Sequence, residues 1–364
     1  MVDRRSLAIG VLAVLVAMSH VESGRAQSAE APRGQSAEAP RGQSAEAPRG
    51  QGAGAPRGQG AGAPGPGAGG RGAGAPQGRG GGGFGGDAGP FTPAPGAKDL
   101  KTVLFNWTWH MGMLRSGNES ELIKTLDYHA AAGTIQVDGQ PCTLTKYRVQ
   151  ANYQIPGYRA QVECTRLNKQ KYSNVETLSG EYAWDEDIPG AELVPGKGKA
   201  TPKPAALEER LIRLWASPHG APKAAIAGAA GLPTTQSFGQ NPAVLLDNQA
   251  KAGAKSTTTL EWQGEKAVIT FPIPGVSGAM ATATLVNYLP ESVVVTHGPN
   301  KTEFIYGKWA DWNNPLFKIE ALYAGTIVER KNGTVVRSVT AKVTEIGQIY
   351  VIMPVPDSVQ KAGK

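Results

Sequence analysis

Histidine and cysteine are scarce in this chain, five and two among 364 residues. No two histidines stand within four positions of each other, so no helical turn or strand offers a local pair of metal ligands. Cys142 and Cys164 are too few and too far apart for a zinc cluster or a CxxC redox pair. GxSxG is absent, and no glycine-rich phosphate loop follows a strand, which removes the usual marks of a serine esterase or a nucleotide site. No metal and no cofactor is expected. Beyond Met18 the chain also lacks any apolar run near the ~20 residues that cross a bilayer, so no transmembrane segment is expected once the start of the chain is removed.

That start reads as an export signal over residues 1–26. Arg4 and Arg5 supply a positive n-region, Leu7–Met18 the apolar stretch, and Gly24–Ala26 the small residues before a cut ahead of Gln27, with a cut after Ser19 as the alternative. A periplasmic or secreted location follows, and with it an oxidising compartment. An even pair of cysteines there is most simply a disulfide. Cys142 and Cys164 flank two strand-like runs folded about an IPG turn, which brings them nearly opposite; two free buried thiols are the alternative.

Residues 27–96 lack what a fold needs. QSAEAPRG occurs three times unchanged from Gln27 to Gly50, a degraded copy follows, and the rest is Gly, Ala, Pro and Arg. Phe84 is the only aromatic residue between Gln27 and Pro90, and no β-branched residue occurs there. Such a stretch cannot bury enough apolar surface to offset its ordering entropy, so it reads as a disordered, low-complexity tether. As a Gly-rich coil, seventy residues would span roughly 45 Å end to end. Its six arginines face three glutamates and one aspartate, too dilute for a nucleic-acid arm, and no nucleic-acid partner is expected.

From residue 97 to 364 the pattern is that of a single folded domain holding all seven tryptophans. Leu100, Val103, Leu104 and Trp107 recur at helical spacing, with Met111 and Leu114 continuing the face. Strand-like runs follow at 122–137, 142–151 and 158–167, and a short strand after Ser179 ends in the acidic turn Asp185–Asp187, expected to be solvated. Two helices interrupt them. The first carries Leu207, Leu211, Leu214 and Trp215 on one stripe; the second, HGAPKAAIAGAA, is weaker. Strands then run to the end. Helix, meander, helix pair and longer meander predict an α+β fold: one strongly curved antiparallel sheet with helices on its concave face.

That order resembles the LolA/LolB-type fold, an open β-barrel plugged by helices and used by lipoprotein carriers. GEYAWDE, LWASPHGAPKAAIA, VITFPIPG, EFIYGKWADWN and YVIMPVPDSV are in turn similar to an uncharacterised secreted bacterial domain, which in some proteins stands before a metallo-β-lactamase-fold hydrolase. The similarity runs from Leu100 to Val359. It implies a fold and a compartment and supplies no catalytic residue; HxHxDH is absent from this sequence.

Three readings of function follow. The first is an exported, non-catalytic binding protein for an apolar or amphipathic ligand such as a lipid, acyl chain or lipoprotein tail. Trp107, Met111, Leu214 and Trp215 are its candidate ligand-binding residues; filling of an ordinary core is the competing role for them. The second is a structural or accessory module of the cell envelope, docking a partner protein through Trp309 and Trp312 in KWADWNN, read as an exposed turn. The third is a hydrolase of unknown substrate using His219 with the acidic turn; otherwise the His219 ring caps the carbonyls of the helix before it.

Overall fold

The computed structural model describes residues 91–114, 123–237, 239–312, 321–347 and 351–363. The export signal and nearly all of the repeat segment lie outside the described residues.

Strands dominate because alternating apolar and polar residues bury one face at a time. A first meander comprises β1 (Thr125–Val137), β2 (Gln140–Asn152), β3 (Gly157–Arg166), β4 (Lys171–Ser179), β5 (Tyr182–Glu186) and β6 (Ala200–Pro202). A second comprises β7 (Thr259–Gln263), β8 (Lys266–Pro272), β9 (Met280–Val286), β10 (Leu289–His297), β11 (Asn300–Asp311), β12 (Leu322–Lys331) and β13 (Thr334–Gly347). Within each meander every strand pairs antiparallel with its sequence neighbours, and β1 pairs with β13 to join the two meanders into one open sheet. Asp138 and Gly139 both take positive φ, the two-residue turn whose twist suits a hairpin. The free edges are β6 and β7. The chain between them carries α2 (Leu207–Trp215), α3 (Gly220–Ala230), α4 (Thr234–Ser237) and α5 (Pro242–Lys251), while α1 (Leu100–His110) precedes the sheet and α6 (Asp357–Ala362) follows it.

One guanidinium reports on the sheet's curvature. Arg213 of α2 reaches Glu176 on β4 at 3.0 Å and Glu329 on β12 at 3.3 Å. Four strands separate β4 from β12 in the sheet order. In a flat sheet the two would lie ~24 Å apart at the usual strand spacing, so the sheet bends until both face one side chain.

The helices differ from expectation in instructive ways. The helical pattern through Leu114 stops at His110, because Met111 caps the helix and Gly112 takes φ 72°. Asp99 holds the other end, accepting from the Thr102 amide at 3.0 Å. The weak helix, α3, is buried on all sides. Its Gly and Ala residues allow close approach: a Cβ on Gly228 would lie 2.6 Å from Thr258 Oγ1 and 3.0 Å from Pro272. Beside the short β6, α4 and α6, two longer elements have no counterpart in the sequence reading. The first is α5, started by Asn241 and Pro242. The second is β4, a largely polar run.

On the opposite side of β5 from Arg210, residues 351–363 cover a smaller core around Trp184, Ala191, Ala200 and Val359. The expected solvated turn is not one. Glu186 is buried, accepting from Arg159 at 3.1 Å, Trp184 Nε1 at 2.9 Å and the Gly190 amide at 2.7 Å.

Cys142 and Cys164 are joined across β2 and β3, with Cα atoms 5.6 Å apart. Closing this loop stabilises the fold by roughly 3 kcal/mol on the chain-entropy estimate. Replacing both cysteines by serine should lower the unfolding free energy by about that amount, read from urea titration as a lower midpoint, with the m-value rising as the unfolded chain expands. An unchanged midpoint would show the cross-link to be thermodynamically idle.

Candidate functional site

The helices and the sheet leave an open cleft of about 750 Å³. Its floor is α2 and α3: Leu207, Leu211 and Trp215 recur every fourth residue on one helix, and Ala224, Ala227 and Gly228 lie on the other. One wall is the β2–β3 and β4–β5 turns, with Pro156, Gly180 and Glu181; the other is Pro272, Pro274 and Gly275 beyond β8. Leu232 to Thr235, Lys255 and Thr257 complete the rim. The lining is mainly aliphatic or small, with Glu181 and Lys255 as its charged residues. An apolar cleft with few polar groups holds an apolar body and fixes only its polar end. It offers no arranged nucleophile and base.

The opposite flank of α2 is charged. Arg210, buried, donates to the Thr177 carbonyl at 2.8 Å, the Trp184 carbonyl at 2.6 Å and Asp185 at 2.5 Å. Arg213 adds Glu209 at 2.5 Å to its pairs with Glu176 and Glu329, and Lys331 lies 2.8 Å from Glu209. Burial and neighbouring Arg337 push the Arg213 guanidinium down, but Glu329, Glu176 and Glu209 hold it above its ordinary range. Burial would raise Glu209, yet Arg213 and Lys331 hold it down at about 2. Glu176 is lowered too, Arg213 outweighing its burial.

Behind this flank lies a small chamber of about 50 Å³, walled in part by Tyr128, Tyr147, Tyr158, Tyr306, Tyr323 and Arg337. Arg337 donates to the hydroxyls of Tyr147 and, at 3.3 Å, Tyr158. Tyr306 donates to the Ala216 carbonyl, fixing the end of α2.

The sequence candidates are dispersed. Trp107, Met111, Leu214 and Trp215 are all fully buried; Trp215 also borders the cleft, whereas the other three pack in the main core. Trp107 stands edge-on to Phe271 with ring centroids 6.4 Å apart. Trp309 lies within β11, so KWAD is strand and not turn. Its ring and that of Trp312 are half-buried against the core, and Trp312 Nε1 donates to the Tyr323 carbonyl at 3.2 Å. Asn313 and Asn314 lie outside the described residues. His219 does not cap α2: its Nε2 meets the Leu322 carbonyl at 2.8 Å, and Ser217 Oγ takes the capping role, donating to the Leu214 carbonyl at 2.6 Å. Its partner in the third reading is engaged elsewhere: Asp185 binds Arg210, Glu186 binds Arg159, and Asp187 accepts the Lys199 amide. Burial, with Lys223 nearby, outweighs the Leu322 bond and lowers His219 to about 3, leaving the ring neutral. Leu232, Thr257 and Lys255 were missed because they lie on connections without periodicity; the Leu207–Leu211–Trp215 stripe was the readable signal.

No family model matches the chain, and no curated protein matches it. Among solved structures it is similar to a LolA superfamily protein from Nitrosomonas europaea, at 9% identity, covering 70% of this chain and 96% of that one, with a TM-score of 0.35. At that identity and score the likeness carries no function across.

These shifts fix a pH dependence. His219 is neutral when folded and ordinarily titrates at 6.5, so its contribution is present above 6.5 and lost as pH falls towards 3. Glu209 and Glu176 contribute above 4.5, and Glu209's share is lost as pH falls through 2. Unfolding free energy should therefore fall from pH 6.5 downwards, His219 alone giving up to about 1.4 kcal/mol per pH unit. His219→Gln should flatten the segment above pH 4.5 and Glu209→Gln the segment below it, in urea titrations at each pH. An unaltered upper slope in His219→Gln would refute a buried neutral ring.

Proposed function

We propose that this is an exported binding protein that holds an apolar or amphipathic ligand, a lipid or acyl chain, in the cleft between α2 and α3. The observation that carries the reading is the cleft itself: about 750 Å³ with a mainly apolar floor, its polar groups being Glu181, Lys255, Thr234, Thr235 and Thr257. Pockets of this size and character hold mainly apolar small molecules. In this reading residues 97–364 are the binding domain and its helices fill the concave side of the sheet. Residues 1–26 direct export, and 27–96 tether the domain. The dual reach of Arg213 supports the placement of α2 inside the curve. Trp215 contributes directly, with Leu207 and Leu211; Trp107, Met111 and Leu214 support the helices from behind.

A test is native mass spectrometry of protein purified from the cell envelope, followed by titration with a dye-labelled palmitate. Leu207→Glu places a charge in the cleft at a half-buried position, and Leu232→Trp fills it. Both should weaken palmitate binding at least tenfold with an unchanged circular dichroism spectrum. A ligand-free mass together with no palmitate binding by the wild-type protein would sink the proposal.

A further inference from the structure

A second apolar groove, of about 280 Å³, lies just across the rim of the cleft. It is walled by Ile155, Val351, Ile352, Met353 and Pro354, with Asn152, Gly157 and Ser179 beneath. Ile155 is 62% exposed and Ile352 50% exposed, high for large aliphatics on neighbouring segments. The rim is thin. Pro156 and Gly180 line the cleft while Ile155, Gly157 and Ser179, their chain neighbours, line the groove. The two turns are tied by the Gly180 amide donating to the Pro156 carbonyl at 2.8 Å. A Cβ added at Gly180 would meet nothing within 4 Å, so the crossing is open there. The C-terminal segment that forms the outer wall is fixed: Asn152 Nδ2 donates to the Val351 carbonyl at 2.7 Å, and Met353 is buried against the Trp184 core.

We infer that cleft and groove form one bipartite site for a two-chain lipid, one chain in the cleft and part of the second over the Pro156–Gly180 rim. This rests on the proposed function and names its ligand class. Volume supports it. A methylene takes up about the space of a liquid water, ~30 Å³, so a sixteen-carbon chain needs roughly 480 Å³ and two need roughly 960 Å³. The cleft of about 750 Å³ accepts one chain with room left over, but not two. The shortfall for the second, about 200 Å³ on the same scale, is within the groove's 280 Å³. The groove adjoins the cleft at the Pro156–Gly180 rim, and a chain lying over that rim would take its exposed aliphatics out of water.

The test compares two probes on the full chain: palmitoyl-lysophosphatidylglycerol, with one chain, and dipalmitoyl-phosphatidylglycerol offered from vesicles. Ile155→Asp with Ile352→Asp changes only exposed positions, so the fold should survive; circular dichroism checks this. The double variant should bind the two-chain lipid at least tenfold more weakly and the one-chain lipid unchanged. Equal affinity of variant and wild type for the two-chain lipid overturns the bipartite site. Wild-type protein that binds only the one-chain lipid also overturns it, while leaving the proposed function standing. Binding of neither lipid overturns both.

Discussion

Arg213 is the point on which the two halves of the sheet converge. Its guanidinium holds carboxylates from β4 and β12, strands that belong to different meanders and have four others between them. Taking these charges out of water costs several kcal/mol per ion, and their mutual attraction repays it only with good geometry. That geometry exists only when the sheet is bent enough to bring β4 and β12 to one side chain. The network therefore contributes less to stability than to choice: a flatter sheet would leave Glu329 buried without Arg213. Arg337 works in the same sense from β13, reaching Tyr147 on β2 and Tyr158 on β3.

Bending alone does not close the sheet. β6 and β7 remain as edges, and the connection between them must run through the helices. An edge is a row of unpaired backbone groups that invites pairing with another chain, and proteins shield it with helices, charge or short strands. Here β6 has three residues, ends in Pro202 and lies against α6. The cleft is what remains where α2 and α3 span the gap without filling it. The small residues of α3 let it pack closely, and Ala224, Ala227 and Gly228 give the cleft a shallow, smooth floor.

Much of this was legible in the sequence. Strong alternation placed most strands within a few residues, and the cysteine pair was readable from count and spacing. The Leu207–Leu211–Trp215 stripe predicted a helix with one apolar face. What failed did so where a tertiary contact overrides a local pattern. KYSNVETLS, which becomes β4, carries polar residues on both faces because Glu176 is answered by Arg213 from another element, and no period reveals that. KWAD reads as a turn by composition, yet it continues β11, with Lys308 at φ 53° and Gly325 opposite it accepting the irregularity. His219 sits between Pro and Gly, a loop-like setting. Its burial comes from Leu322 and Tyr323, more than a hundred residues later.

The two flanks of α2 also decide how a ligand would enter. Arg210 and Arg213 bind the helix to β4, β5 and β12, so lifting it would strip several charges of their partners. The cost of leaving even one buried charge unpaired is several kcal/mol. Opening the cleft from the side of α2 is therefore disfavoured. Its other rim is α4, a single turn, with the connection Leu232–Pro233 before it. Among the described residues that rim is held by local bonds: Leu232 donates to the Ala227 carbonyl at 3.0 Å, and Gln236 and Ser237 bond to Pro233 and Thr234. Segments of this kind open at low free-energy cost while the core stays closed. The charged network thus anchors α2 on one flank, and in the proposed function a chain would pass the opposite rim with the apolar floor left in place.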